Sequence, residues 1–180
     1  MFDMVSLTDL EGNFEFVGKS HQLLGYEPEL LVGKNVLFFV HPEDLPRITQ
    51  EFKEFLHFID DDRKVEYRYK RKDGSYVWLE TIGRFIKDTN SAPVKILFNT
   101  RDITDRKRAE EALRESEKRY RLLFEHSPLG VLYVNESGVI ADCNNNFVQI
   151  IGSSRQLIVG LNMFHLPDKR LVTEIEKALQ

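Results

Sequence analysis

The sequence predicts an α+β fold in which hairpin-connected strands precede and follow helical segments, and a long helix comes last. Apolar and polar residues alternate in several short stretches separated by turn residues, and Asp73-Gly74 is the strongest hairpin signal. A segment from about 104 to 124 is rich in Glu, Arg, Lys and Ala and lacks Gly and Pro, which predicts a helix. A third observation, an internal repeat, predicts that part of this arrangement occurs twice.

The first predicted elements are a hairpin and two short helical turns. Met4–Thr8 and Phe14–Val17 alternate loosely in hydrophobicity and are separated by turn residues that include Gly12 and Asn13. The helical turns span 20–24 and 28–32, and each is followed by glycine, which is favoured at helix C-termini.

One longer helix and three strands complete the first copy. Proline and two acidic residues at 42–44 suit the start of a helix, and apolar residues then recur at helical spacing. They are Leu45, Ile48, Phe52, Phe55 and Leu56. The three strands are predicted around 65–70, 76–85 and 94–100.

The internal repeat relates residues 5–35 to residues 131–162 in a nearly constant register. Gln22-Leu23-Leu24-Gly25 corresponds to Gln149-Ile150-Ile151-Gly152, and Asn35 corresponds to Asn162. The three strands of the first copy have no counterpart after residue 162. We therefore expect three parts: residues 1–104 as one domain, 105–127 as a helical connector, and 128–180 as the first half of a second domain.

Composition excludes several classes of protein. The 180 residues are 42% hydrophobic and 30% charged, which is typical of a globular protein, and the net charge of −4 argues against binding to nucleic acid. Cys143 is the single cysteine, so neither an intrachain disulfide nor a thiolate-rich metal site is expected, and the cytoplasm is the expected compartment. No apolar run approaches the roughly 20 residues that span a bilayer, so we expect no membrane insertion by these residues. No histidine is paired with carboxylates at the spacing of a metal site, so we expect no metal site.

Six short motifs follow one another in the first copy. They are Leu23-Leu24-Gly25-Tyr26, Pro28-Glu29-Leu30-Leu31-Val32-Gly33-Lys34, His41-Pro42-Glu43-Asp44, Arg71-Lys72-Asp73-Gly74-Ser75-Tyr76-Val77-Trp78, Asp102-Ile103-Thr104 and Arg106-Lys107-Arg108-Ala109-Glu110. Their order and spacing resemble the PAS family with its PAC motif, which occurs in prokaryotic sensor kinases and related receptors. The resemblance covers residues 4–104 and, as a partial copy, 118–180. Gly18-Lys19 departs from the family's common Asn-Pro, whereas Asn144 holds the equivalent asparagine in the second copy.

The resemblance implies a five-stranded antiparallel sheet in the order 2-1-5-4-3, with helices on one face and a cavity for a ligand or cofactor between them. Candidate residues for the wall of that cavity are Val36, Phe52, Phe55, Tyr67, Tyr69 and Phe98. The alternative is that these side chains simply fill a core and bind nothing.

The sequence argues against two of the cofactor chemistries that the family uses. The light-sensing branch needs a cysteine after a Gly-Lys/Arg-Asn segment, and this chain has Val36 and Met163 at the two equivalent positions, so flavin–cysteinyl photochemistry is excluded. The haem branch binds its iron through a histidine of the longer helix that precedes the three strands. His57 falls in the last turn beside an acidic run, where a solvated histidine is expected, and this argues against haem. Any other cofactor is left open, and Cys143 is expected to be a buried, inert thiol.

The connector carries apolar or small residues at alternating steps of four and three, the spacing of a coiled-coil seam. They are Ala109, Leu113, Ser116, Tyr120 and Leu123. A solvated spacer is the alternative. Asp102, Ile103 and Thr104 lead from the last strand into this helix, so we predict that they relay any movement of the sheet, with Thr104 capping the helix.

The partial second copy would leave a strand edge and a helix face uncovered. We therefore expect residues 128–180 either to be mobile or to be completed by a second chain, so that a homodimer forms through the connector and this half domain. Because the chain ends fall inside predicted elements, we expect a longer parent protein.

These observations predict a sensory and dimerisation module of a cytoplasmic signalling protein, such as a sensor histidine kinase or a diguanylate cyclase, that responds to a small molecule or a partner. A constitutive interaction scaffold is the first alternative. The second is a kinase fragment with His126 as phosphoacceptor, although Pro128 follows His126 too closely for the usual phosphoacceptor box. No nucleotide-binding loop or catalytic arrangement is recognisable, so we do not expect an enzyme.

Overall fold

A computed structural model describes residues 3–57 and 64–165 of the chain. The strands are β1 Met4–Thr8, β2 Phe14–Val17, β3 Lys64–Lys70, β4 Tyr76–Lys87, β5 Pro93–Asp102, β6 Leu132–Val134 and β7 Ile140–Cys143. The helices are α1 Leu45–His57, α2 Thr104–Glu125, α3 Asn145–Ile151 and α4 Arg155–Ile158. Short 3₁₀ helices, here called the 3₁₀ turns, span Lys19–Leu24, Pro28–Leu30, Val36–Phe39 and Met163–His165. Among the residues described, no helix is both long enough and apolar enough to cross a bilayer.

The chain divides into two compact units, Met1–Glu110 and Glu111–Gln180, which are described separately below. The division falls inside α2, within the predicted connector. The predicted boundaries at residues 104 and 127 stay predictions.

The first unit contains a five-stranded antiparallel sheet in the order β2-β1-β5-β4-β3, which confirms the predicted topology. The β3–β4 hairpin turns at Asp73-Gly74 as expected. Gly74 has φ 88°, a left-handed conformation that glycine adopts without steric cost. The Asp73 carboxylate accepts a hydrogen bond from the Ser75 amide at 2.8 Å, which stabilises the turn.

Helical segments and α1 pack against one face of this sheet, here called the inner face. The side chains of the core lie between these segments and the sheet, because alternate residues of each strand point to the inner face. The core consists of Met4, Phe14, Val17, Leu24, Leu31, Phe39, Tyr69, Val77 and Leu79. Full burial of each large apolar side chain stabilises the fold by about 1.5–3 kcal/mol. In α1, Ile48 is buried as predicted, whereas Leu45 in the first turn is exposed.

Strand β3 is an edge strand, and backbone groups of Glu66 and Arg68 on its free side are hydrogen bonded by the segment that leads into α1 and by the first turn of α1. The Asp44 carboxylate accepts from the Arg68 amide at 2.9 Å, the His41 amide donates to the Arg68 carbonyl at 2.8 Å, and the Arg47 guanidinium donates to the Glu66 carbonyl at 2.7 Å. These bonds block edge-to-edge pairing at that point. Hydrogen bonding from the Arg68 side chain lowers the pKa of Asp44.

The second unit repeats the start of the first. Its two-stranded sheet β6–β7 and helices α3 and α4 enclose a small core of Ile140, Cys143, Phe147 and Ile158. The amide of Asn35 donates to the Glu11 carbonyl at 2.8 Å, and the amide of Asn162 donates to the Ser137 carbonyl at 3.0 Å. The backbone amides of Gly18 and Asn144 likewise donate to Val5 and Val131 at 2.8 and 2.9 Å. These matching bonds give the sequence repeat its structural counterpart, and residues 166–180 of the second copy lie outside the described residues.

Candidate ligand cavity and helix junction

A cavity of about 90 Å³ lies between α1, the 3₁₀ turns and the inner face of the first sheet. All six candidate residues line it: Val36, Phe52, Phe55, Tyr67, Tyr69 and Phe98. Further lining residues were not singled out from the sequence, among them Ser6, His21, Thr81, Gly83 and Thr100. Gly83 has a steric role here, because a Cβ at this position would come within 3.0 Å of the rings of Phe55 and Phe98.

Three hydroxyl groups form a chain along the cavity wall. Tyr67 Oη lies 3.0 Å from Thr81 Oγ1, and Thr81 Oγ1 lies 2.9 Å from Thr100 Oγ1. The chain forms because Tyr67 is paired with Leu79, two residues before Thr81, and Thr81 is directly opposite Thr100. Three hydroxyls carry three protons and two hydrogen bonds use two of them. One O–H donor of the chain therefore has no acceptor within it.

A fourth hydroxyl, on Tyr69, is buried and has no hydrogen-bond partner among the described residues. The Tyr69 side chain is 4% exposed and its ring stacks on Phe39 with centroids 5.3 Å apart. Burial raises the pKa of Tyr69 well above its usual value, so the phenol stays protonated and is a donor. Buried polar groups are nearly always paired, with protein or with water, so this donor is free to bond to a molecule in the cavity, water included.

The cavity wall carries little charge. The carboxylate of Glu51 at its margin pairs with the Arg47 guanidinium at 2.9 Å. The ring of His21 is 5% exposed, and burial lowers its pKa, so it is neutral near pH 7. Its Nδ1 lies 3.1 Å from the Gly18 carbonyl, which assigns the proton to Nδ1.

The predicted relay residues join β5 to α2. The Asp102 carboxylate accepts from the Thr104 amide at 2.8 Å, and Ile103 is buried with its amide donating to the Trp78 carbonyl at 2.9 Å. Thr104 was expected to cap the helix. Its hydroxyl instead accepts from the Trp78 amide at 3.1 Å, so the capping bond comes from Asp102 and Thr104 ties the helix to β4.

The first turns of α2 lie on the outer face of the sheet, opposite the cavity, where they meet a group of side chains that we call the docking cluster. The cluster consists of Glu66, Trp78, Glu80, Arg106 and Lys107. Lys107 Nζ lies 2.6 Å from a Glu66 carboxylate oxygen and 5.2 Å from the Trp78 ring centroid. Arg106 lies 2.8 Å from Glu66 and 3.8 Å from Glu80. Hydrogen bonding from Arg106 and Lys107 lowers the pKa of Glu66, and the pairing with Glu66 raises the pKa of Lys107.

In the second unit, the end of α2 is held by Asn144, whose side chain is fully buried. Its amide donates to the carbonyls of Phe124 and Leu129, both at 2.9 Å, and its carbonyl oxygen accepts from the amides of Val131 and Phe147, also at 2.9 Å. One of these bonds caps α3 and another satisfies a carbonyl of the last turn of α2. Sequence reasoning noted this asparagine but not its contacts.

Two family models match the chain. One, described as PAS fold, matches residues 16–98, and the other, described as PAS domain, matches residues 118–179. The PAS domain of a protein from Colwellia psychrerythraea is 32% identical with a TM-score of 0.53, and the match covers 58% of this chain and 89% of that one. The chain belongs to the PAS domain family.

The chain is also similar to proteins of bacterial signalling. A sensory box histidine kinase/response regulator from Burkholderia thailandensis is 25% identical with a TM-score of 0.54, over 66% of this chain and 90% of that one. The two-component sensor PprA of Pseudomonas aeruginosa is 28% identical over 143 residues, which are 78% of this chain and 15% of that protein. The chain spans between 11% and 20% of the length of four curated relatives. It carries a PAS sensor domain like those of sensor kinases.

Within this PAS domain, the residues considered for cofactor chemistry take the following places. Val36 lines the cavity at the position where the light-sensing branch needs cysteine. His57 is the last residue of α1 and is exposed, and Cys143 is buried in the second unit. His126 is exposed directly after the end of α2.

Proposed function

We propose that the first PAS domain senses a small molecule in its cavity and passes the response to α2. One observation carries this proposal: neighbouring residues of the same strand serve the cavity and the docking cluster. On β3, Tyr67 lines the cavity and Glu66 pairs with Lys107; on β4, Thr81 lines the cavity and Glu80 meets Arg106. Successive side chains of a strand point to opposite faces, so a shift of the strand reaches both sites at once.

The strength of helix docking suits a switch. Ile103 and Thr104 are hydrogen bonded to Trp78, and beyond them the contacts that hold the first turns of α2 are surface ion pairs and one cation–π contact, each worth about 1 kcal/mol or less. Contacts this weak leave a measurable population in which the turns after Thr104 are undocked. A ligand then shifts the two populations by its differential affinity for the two states of the sheet.

For the connector we propose a homodimer seam. All residues from 108 to 123 are exposed in the single chain, and the predicted seam includes Leu113 and Leu123, which are 62% and 69% exposed. An isolated helix of this kind is marginal in water, and pairing with a second copy would bury these side chains. A dimer contact through residues 128–180 stays a prediction.

For the parent protein we propose a cytoplasmic sensor histidine kinase in which these residues have no catalytic role of their own. The two-component sensor and the histidine kinase/response regulator described above support this choice. Phosphotransfer from ATP to His126 in the purified chain would contradict the non-catalytic role.

The scaffold alternative is favoured by the small size of the cavity and by its close ring packing, such as Phe55 against Phe85 with centroids 4.5 Å apart. In a scaffold with a filled core, a change at the cavity wall would not reach α2.

The test is a change at the cavity wall with a readout at the helix. Gly83→Ala adds a methyl group that forces the rings of Phe55 and Phe98 to shift, and we expect altered hydrogen exchange at residues 105–123. Val94→Ala, at an exposed position of β5, is the matched control and should leave α2 unchanged.

A second variant tests whether the helix carries the change. Ala112→Pro costs about 3 kcal/mol in a helix interior and should confine the effect of Gly83→Ala to residues before 112, with the first domain still folded by circular dichroism. The relay would be contradicted if Gly83→Ala left the exchange rates of α2 unchanged. It would also be contradicted if Gly83→Ala changed the exchange rates after residue 112 equally with and without Ala112→Pro.

A further inference from the structure

We propose that the cavity binds an uncharged molecule of about four non-hydrogen atoms that accepts hydrogen bonds, such as a small ketone, amide or alcohol. This inference rests on the proposed sensing function and adds the chemistry of the ligand.

The size of the cavity limits the ligand. An apolar protein cavity of about 150 Å³ holds benzene, which has six non-hydrogen atoms. The cavity of about 90 Å³ is roughly three fifths of that volume, which allows about four such atoms. Sites for drug-sized ligands and most organic cofactors are about 300 Å³ or more, so a ligand of that size would require the walls to move apart.

The donors of the cavity select an acceptor. The Tyr69 hydroxyl is buried and unpaired among the described residues, and the chain of Tyr67, Thr81 and Thr100 has one proton without an acceptor inside the chain. A bound carbonyl oxygen has two lone pairs, so it can accept a hydrogen bond from either of these donors. A hydrocarbon of the same shape would give neither donor an acceptor.

The charge of the cavity excludes an ion. The Glu51 carboxylate is already paired with Arg47, the His21 ring is neutral and occupied at Nδ1, and the other lining side chains are uncharged. An anion or cation would lose its hydration without gaining a counter-charge, which is far more costly than the transfer of a neutral molecule.

Three probes of one shape test the chemistry: acetone, the anion acetate and the hydrocarbon 2-methylpropene. Each is titrated into the 180-residue chain while ¹H–¹⁵N spectra report the amides of β3, β4 and β5. We expect acetone to bind saturably and to shift amides near Thr81 and Thr100, and acetate to shift none of them. The affinity of 2-methylpropene provides the reference for burial of the same apolar shape.

Two variants separate the hydrogen bonds from the shape. Tyr69→Phe removes an unpaired hydroxyl and should leave the fold intact, and Thr81→Val is close in size and breaks the hydroxyl chain. In each variant the Kd of acetone should rise about three- to tenfold, the effect of one lost hydrogen bond, while that of 2-methylpropene stays the same or falls. Leu97→Ala, on the outer face, is the control and should change neither Kd.

The outcomes distinguish this inference from the sensing function. Three results would overturn the proposed ligand chemistry. They are tighter binding of acetate than of acetone, no binding of acetone up to about 100 mM, and an equal loss of affinity for acetone and 2-methylpropene in the variants. If acetone binds saturably and its Kd rises in both variants, but the amide signals of α2 do not shift, the ligand chemistry is supported and the relay is contradicted.

Discussion

Lys107→Ala is the sharpest test of how firmly α2 is docked on the first domain. The substitution removes the ion pair of 2.6 Å with Glu66 and the contact of 5.2 Å with the Trp78 ring. A partly exposed ion pair contributes about 0.2–1 kcal/mol and an exposed cation–π contact about 0.5–1 kcal/mol. We expect a total loss of about 1–2 kcal/mol, since both contacts share one ammonium group. The ratio of docked to undocked helix should fall by about 5- to 30-fold.

The assay is hydrogen exchange at the amides of residues 106–110 together with the fluorescence of Trp78, the single tryptophan of the chain. Alanine is a better helix former than lysine, so faster exchange in the variant cannot come from a weaker helix and must report undocking. Arg108→Ala is the matched control, because Arg108 is in the same turn, is largely exposed and pairs with Asp105 of its own helix at 3.5 Å.

Salt provides an internal check on this prediction. Raising the ionic strength to about 1 M shortens the screening length to about 3 Å, which weakens the ion pairs and should narrow the difference between the natural chain and Lys107→Ala. Equal exchange rates in Lys107→Ala and Arg108→Ala would refute the docking role of the cluster, whatever the salt concentration.

Two further predictions concern the second unit and the pH dependence of the first. Asn144→Ala removes four hydrogen bonds and should lower the stability of the second unit by about 2–4 kcal/mol, measured as faster exchange of the Phe147 amide. Asn145→Ala, at an exposed position, is the control and should lower the stability little. Similar exchange rates in the two variants would contradict the role of Asn144. The folded pKa of His21 lies below its usual 6.5, so the unfolded chain binds more protons as pH falls below 6.5, and the stability of the first domain should decrease there. His21→Gln should remove this component, while exposed His126→Gln should retain it; an unchanged profile in His21→Gln would show that another group is responsible.

Much of the fold could be predicted because its signals are local. Alternation along β3 assigns Tyr67 and Tyr69 to one face, Asp73-Gly74 specifies a hairpin, and a segment without Gly or Pro specifies α2. The strand order followed from resemblance to the PAS family, and the structure has the same order.

The hydrogen-bonding groups of the cavity could not be read in the same way. Thr81 and Thr100 are nineteen positions apart, and their hydroxyls meet because the register of β4 on β5 places them opposite each other. Register depends on which residues of both strands are buried together, and a shift of one residue would turn Thr81 to the outer face. The unpaired Tyr69 hydroxyl likewise depends on what surrounds it after packing.

The sequence by itself determined most of the strands and helices and the repeat, because period and turn chemistry act between residues close in the chain, whereas the aromatic wall of the cavity was predicted from the resemblance to the PAS family. Only the tertiary structure decided that the cavity is small and carries little charge, that Thr104 is bonded to β4, and that Glu66 holds Lys107 across the outer face. These features join residues far apart in the chain, and their geometry exists only after the sheet has closed over its core.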